Sequence, residues 1–173
     1  VYEGKIVDWV PADNTLKAGE YSVTAECGKI EEEGFDKPYF IGTHAFTVNG
    51  GETSEVSIPV SLGNTIVKVE CTEGFRNYYR NWSFKLSRSG ADIVAFAKDE
   101  TKAAFVDGYR FTLSGVMEAE TKTYTFNKEY SSLEPATAYT FVFDVTNTGS
   151  AAITISFNNK VETVELGDIE LND

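Results

Sequence analysis

The sequence predicts an all-β protein built from antiparallel β-sandwiches. Three observations carry this reading. Runs in which apolar and polar residues alternate recur along nearly the whole chain. Turn-forming residues separate them at a spacing of about 8–12 residues. No stretch shows the extended 3.6-residue periodicity of a long amphipathic helix.

The expected strands follow in order. "KIVDWV" (5–10) is short and apolar-rich, and "EYSVTAEC" (20–27) alternates cleanly. "AFTV" (45–48) and "TSEVSIPVSL" (53–62) flank "NGGE" (49–52), whose glycines tolerate positive φ, so the three together read as a hairpin. "NTIVKVEC" (64–71) opens a second unit. In "TEGFRNYYRNW" (72–82) Phe75 and Tyr79, like Tyr78 and Trp82, stand four apart, which predicts one or two helical turns. Then come "WSFKLSRSG" (82–90), "DIVAFAKDE" (92–100), "GYRFTLSGVM" (108–117), "TKTYTFNKEY" (121–130), "AYTFVFDVT" (138–146), "AAITISFNN" (151–159) and "VETVELGDIEL" (161–171). These make two domains, 1–62 and 63–173, divided where "SLGNT" interrupts the strand pattern near Leu62–Asn64. The first is small for an independent sandwich, and is expected either to lack a strand at its start or to lean on the second.

One device occurs twice. "LKAGEYSV" and "LEPATAY" each place a turn before a strand whose first inward residue is a tyrosine, Tyr21 and Tyr139. Such a tyrosine buries its ring and hydrogen-bonds its hydroxyl at the sandwich rim.

Composition excludes several functions. Hydrophobic residues make up 42% of the 173, with 12 Phe, 9 Tyr and 2 Trp, enough to build a core. The net charge of −12, without any Lys/Arg cluster, excludes nucleic acid as a partner. No run of 18 or more apolar residues occurs. The chain opens on the strand-like "VYEGKIVDW", so we expect a preceding segment, removed or left out, that could hold a targeting signal.

His44 is the single histidine, which excludes a triad or multi-histidine metal site; at a strand start it reads as structural or surface. Carboxylates are plentiful, but none pairs within a cleft the sequence indicates. "EEE" (31–33) reads as a solvated loop, "KDET" (98–101) is a weak calcium pattern, and no phosphate-cradling glycine loop occurs. No catalytic residue, cofactor or metal site is expected, and the protein is read as non-enzymatic. Cys27 and Cys71 each end an alternating run; they read as two buried thiols or, alternatively, a disulfide.

Two aromatic segments remain. "GFDKPYF" (34–40) reads as a cover, through Phe35, Tyr39 and Phe40, for the end of the first sandwich. "FRNYYRNW" (75–82) places two Arg and four aromatics in an acidic chain. Phe75, Tyr79 and Trp82 fit a core. For a ligand or partner surface, Arg76, Tyr78 and Arg80 are the candidates on the opposite face, with Trp82 at the edge of an aromatic platform.

"LKAGEYSVTAECG", "GFDKPYFIGTHAFTVNGGETSEVSIPVSL", "NTIVKVECTEGFRNYYRNWSFKLS" and "FAKDETKAAF", in that order, make residues 1–115 resemble the fimbrillin-like domain-of-unknown-function proteins, surface lipoproteins of Gram-negative gut anaerobes. "LEPATAYTFVFDV" and "VELGDIELND" fit the style of their second domains. The resemblance implies two transthyretin-like or immunoglobulin-like sandwiches in tandem. It implies a lipid anchor outside this stretch of chain, display at the outer membrane, and an adhesin or pilus-related role. The implied partners are a host glycan, a matrix protein or another pilus-type subunit. It implies no catalytic residues. Relatives carry at least one strand before the position of "VYEGKI"; in pilus-type relatives its removal opens a groove that another subunit fills, and plain truncation is the alternative. A glycan-capture module of a surface uptake system, using Tyr78 and Trp82, is the second reading.

Overall fold

The computed structural model describes residues 3–108, 110–131, 133–134, 136–145, 151–157 and 160–164, the last two runs by backbone alone. The protein is all-β, with one short α-helix among the described residues. The chain divides into two compact units: the described part of 1–26 with 41–61, and 27–40 with the described part of 62–173.

The first unit holds a three-stranded sheet in the order β1–β3–β4, from β1 (Gly19–Cys27), β3 (Phe40–Val48) and β4 (Ser61–Leu62). The alternation of β1 is real: Tyr21, Val23 and Ala25 are half-buried while the residues between them are exposed. The Tyr21 ring stacks on Phe46 at 5.9 Å and its hydroxyl donates to the Lys17 carbonyl at 3.0 Å, as the turn-then-tyrosine device predicts. Cys27, expected on the buried face, is exposed instead, and neither cysteine is in a disulfide. His44 is exposed on β3.

Two expected strands of this unit are not strands. Residues 6–8 and 11–13 form 3-10 turns, with Ile6 and Val7 each 82% exposed. "IVDWV" has no period-2 alternation to choose a buried face, and Pro11 pre-sets φ for the second turn while holding Val10 extended. Of the expected strand 53–62 only Ser61–Leu62 is paired. Pro59 cannot donate to a ladder. The arm nevertheless runs beside β3, where the Pro59 carbonyl sits against Gly42 so closely that no Cβ would fit; of Val56, Ile58 and Val60, which the alternation places on one face, the first two are half-buried and Val60 is exposed.

The second unit is a two-sheet sandwich. One sheet has the order β10–β9–β6–β7, from β6 (Asn81–Arg88), β7 (Ala91–Phe96), β9 (Phe111–Glu118) and β10 (Thr123–Tyr130), all antiparallel. The other has the order β13–β12–β11–β5–β8–β2, from β2 (Gly34–Phe35), β5 (Thr65–Cys71), β8 (Ala104–Val106), β11 (Ala138–Val145), β12 (Ala151–Phe157) and β13 (Lys160–Val164). Within it β5 and β11 run parallel, and every other pairing is antiparallel. Residues 165–171 of the last expected strand lie outside the described residues.

Inward residues of both sheets meet as an aromatic core. Phe84 of β6 stacks on Phe143 of β11 at 4.0 Å, and Phe126 of β10 lies 5.4 Å from Phe143. Gly115 of β9 sits in register between Phe84 and Phe126, and a Cβ there would overlap the Phe126 ring and lie 2.6 Å from Phe84. Tyr139 buries its ring here and its hydroxyl accepts the Glu134 N–H at 2.7 Å, the second copy of the tyrosine device.

Residues 27–40 belong to this second unit. Gly34–Phe35 pairs with β8, and the Phe35 ring packs edge-on against Phe96 at 5.3 Å. Phe35 therefore covers the second core and not the end of the first. Glu33, expected in a solvated loop, is mostly buried. It grips Arg88 in a two-pronged ion pair (2.8 and 3.0 Å) and accepts the Asp107 N–H at 2.7 Å, while Arg88 also donates to the Asp107 and Arg110 carbonyls. A guanidinium matches a carboxylate geometrically, and half-burial strengthens the pair. The lone acidic run thus splits. Glu32 stays outside, its carboxyl pushed below the usual range by hydrogen bonds from Lys37 and Lys29.

Three expectations follow. Gly115→Ala should cost about 1–3 kcal/mol in urea unfolding, since the added methyl must displace two core rings. Arg88→Ala leaves Glu33 and the Asp107 carbonyl without their partner; a loss of about 1–3 kcal/mol is expected, with faster proteolytic cleavage within residues 28–40. The third concerns alkaline pH. Burial raises the hydroxyls of Tyr79 and Tyr130 and the thiol of Cys71 each to about 12. The unfolded chain releases these protons first, from Cys near its ordinary value of 9.0 and from Tyr near 10.0. Stability is therefore full below pH 9 and falls as pH rises toward 12. The buried Tyr130 hydroxyl has no hydrogen-bond partner among the described residues. Tyr130→Phe should then be neutral or stabilising at pH 7 and flatten the alkaline loss, read as the urea midpoint against pH.

Candidate functional site

The segment that stood out in the sequence forms the turn between β5 and β6. Helix α1 (Glu73–Tyr78) supplies the predicted helical turns, and it starts from an N-cap threonine: Thr72 Oγ1 accepts the Phe75 N–H at 3.1 Å and donates to Asp144 at 2.6 Å. Asp144 stands on β11, so the cap also fixes the helix to the sandwich.

Packing then sorts the side chains by face. Phe75 points into the core and touches Tyr79 (4.5 Å), Trp82 (5.5 Å), Phe84 (6.2 Å) and Phe143 (6.0 Å). Tyr79 is buried beneath Tyr124 of β10, with ring centres 5.8 Å apart. Trp82 is only 4% exposed, and Lys98 covers its ring at 4.7 Å while donating to the Arg80 carbonyl at 2.7 Å. The indole is therefore no open platform; it packs the core with Phe75 and Tyr79.

Tyr78 goes the other way. It is 40% exposed, lies edge-on over Tyr79 at 4.9 Å, and interacts through its hydroxyl with Tyr124, which raises its pKa. Arg76 and Arg80 flank it. Arg76 donates to the Cys71 carbonyl at 3.1 Å and pairs with Asp99 at 2.8 Å. Arg80 pairs with Glu120 in the β9–β10 turn. Lys122 of the same turn stands 5.6 Å from the Tyr124 ring.

Of the four residues marked in the sequence, the structure keeps Arg76, Tyr78 and Arg80 on the surface and takes Trp82 inside. It adds Tyr124, Glu120, Lys122, Lys98 and Asp99. No spacing rule links these to residues 75–82; only the β6–β9–β10 pairing brings the β9–β10 turn beside α1. "TKTYTF" did hold one visible sign, a tyrosine two residues after a lysine next to a turn.

The patch is a surface and not an enclosed pocket. The cavity beneath the Arg76–Asp99 pair, lined also by Cys71 and Trp82, has a volume of about 10 Å³, room for one water. At the β6–β7 hairpin an open cleft of about 390 Å³ lies beside Glu31, Glu33, Arg88 and Asp92. There Glu33 and Arg88 already bind each other, and Asp92 pairs with Lys85 at 2.9 Å. Among the described residues no three His, Cys, Asp or Glu side chains are placed to hold a metal ion, and no helix is long and apolar enough to cross a membrane.

Comparison with known proteins places the chain in a family. No curated protein matches it. A crystal structure from Bacteroides ovatus, provisionally described as a cell adhesion protein, is similar at 17% identity with a TM-score of 0.40, over 85% of this chain and 62% of the other, so this chain spans less than two thirds of that protein. The family model of a domain of unknown function, DUF4493, matches residues 5–173, and the chain belongs to that family.

Proposed function

We propose that this protein is a non-enzymatic recognition module displayed on a cell surface, an adhesin or fimbria-like subunit whose sequence divides into two sandwich domains, 1–62 and 63–173. The observation that carries the reading is Tyr78. A large aromatic side chain is held outward on a rigid base of buried rings, beside Tyr124 and inside a rim of Arg–carboxylate pairs. Recognition surfaces favour this arrangement: an aromatic anchor that loses little entropy on binding, with Arg around it. Loop ends of β-sandwiches are where such surfaces are commonly built. Surface display, a lipid anchor outside this stretch and a fimbrillin-like setting are what the sequence resemblance supplies. Sheet edges would provide subunit contacts in an assembly.

A glycan reading is favoured by one feature. Tyr78 and Tyr124 present ring and hydroxyl together, as sugar stacking needs, and they take over the platform role once given to Trp82.

The test is a binding screen of the purified protein against immobilised glycans and matrix proteins. Tyr78→Ala and Arg80→Ala should fold normally and lose about tenfold or more in affinity for whatever binds. Trp82→Ala serves as the stability control, expected to cost about 3–5 kcal/mol. Unchanged affinity in both surface variants would sink the assignment of the site, and no binding to any surface at high micromolar concentration would sink the adhesin reading.

A further inference from the structure

We infer that Asn49 is a site of spontaneous deamidation, its side-chain amide lost through attack by the Gly50 backbone nitrogen. Asn-Gly occurs once in the chain, in the turn that leaves β3. Asparagine is among the chemically labile residues, and a following glycine removes the side chain that would block the backbone nitrogen. The fold adds access. Residues 49–55 are all exposed, and a Cβ built at Gly50 or Gly51 would meet nothing within 4 Å. Gly51 sits at φ 78° and Glu52 N–H donates to the Asn49 carbonyl at 3.3 Å, the signature of a tight turn with glycine in its third place. Residues 52–60 beyond it belong to no strand, so no ladder holds the far arm.

The step balances without an oxidant. The Gly50 nitrogen bonds to Asn49 Cγ and passes its proton, through water, to the departing Nδ2. The Cγ–Nδ2 bond breaks, ammonia leaves, and a five-membered succinimide closes. Water adds at either ring carbonyl and reopens it, giving aspartate or isoaspartate. The product changes the turn electrostatically. Asn49 Nδ2 now donates to Glu52 Oε2 at 3.0 Å; afterwards two carboxylates face each other there.

The molecule carries its own control. Asp107–Gly108 could form the same succinimide, but the fold locks it. Asp107 N–H donates to Glu33, its carbonyl accepts from Arg88, and Gly108 is buried against Thr65 with no room for a Cβ.

The experiment incubates the intact protein in mildly alkaline oxygen-18 water and maps peptides by mass spectrometry. The label separates conversion during incubation from conversion during digestion. Label is expected at position 49 in the native protein and at both positions in the urea-unfolded chain. Gly50→Ala, which needs no positive φ, should slow the reaction about tenfold, and Asn49→Gln should abolish it. The inference is overturned if position 49 stays unlabelled in the native protein while the unfolded chain converts, or if Gly50→Ala reacts as fast.

Discussion

The sandwich of the second unit is organised around one contact: Phe143 of β11 stacked on Phe84 of β6, 4.0 Å apart and nearly parallel, across the gap between two sheets. Two sheets usually pack about 10 Å apart, and side chains from both inner faces must fill that space. Here rings do so, and a third ring, Phe126, joins only because Gly115 leaves a vacancy beside it. The same stack positions the surface patch. Phe75 reaches both Phe84 and Phe143, so the single turn and a half of α1 is pinned by its buried face. A helix of six residues has almost no stability of its own. Its outward face is rigid because its inward face is part of the core, and Tyr78 inherits that rigidity.

A second constraint is covalent. The chain enters the second unit at residue 27, leaves it at 40, and returns at 62. The excursion is held by the short β2 strand, by Phe35 against Phe96, by the Glu33–Arg88 pair, and by bonds from the start of β5: Gly63 N–H to the Tyr39 carbonyl at 2.8 Å and Asn64 to Tyr39 N–H. Glu33 does more than one surface carboxylate usually can. A solvent-exposed ion pair is worth up to about 1 kcal/mol, but a buried acceptor of several donors leaves each of them unsatisfied when it is lost.

What could be read from the sequence was local. Tyr21 and Tyr139 hydrogen-bond back into their own turns, four and five residues away, and "LKAGEY" and "LEPATAY" contain every atom involved. The alternation of β1, β5, β6, β9, β10 and β11 survives because each presents one face to apolar neighbours. Where the reading failed, the deciding partner was remote. Phe35 could not reveal that Phe96, 61 positions later, would take it. Glu33 looks like Glu31 until Arg88 is brought to it. Strands β2 and β8 are only two and three residues long, too short to show a period. Ile6 and Val7 are β-formers in composition, but no strand among the described residues pairs with them. For the patch, the four-residue spacing in "FRNYYRNW" separates core from surface for Phe75, Tyr79, Tyr78 and both arginines. Trp82 was ambiguous because it belongs at once to the end of the turn and to the start of β6, and the strand's inward register decided it.

That register has a consequence for how the patch could bind. With Trp82 inside, the surface keeps one large exposed ring and a rim of charges that already satisfy one another: Arg76 with Asp99, Arg80 with Glu120. Exposed pairs of this kind contribute little to folding, so the fold loses little if they open. A partner that brings its own carboxylate or carbonyl can take Arg80 from Glu120 at small cost, while Tyr78 supplies apolar contact that needs no rearrangement. Affinity would then rest on the ring and selectivity on the exchange of ion pairs. In a chain of net charge −12, local arginines matter more than their number suggests. They are the places where an acidic molecule, otherwise repelled by a surface of this net charge, would meet attraction.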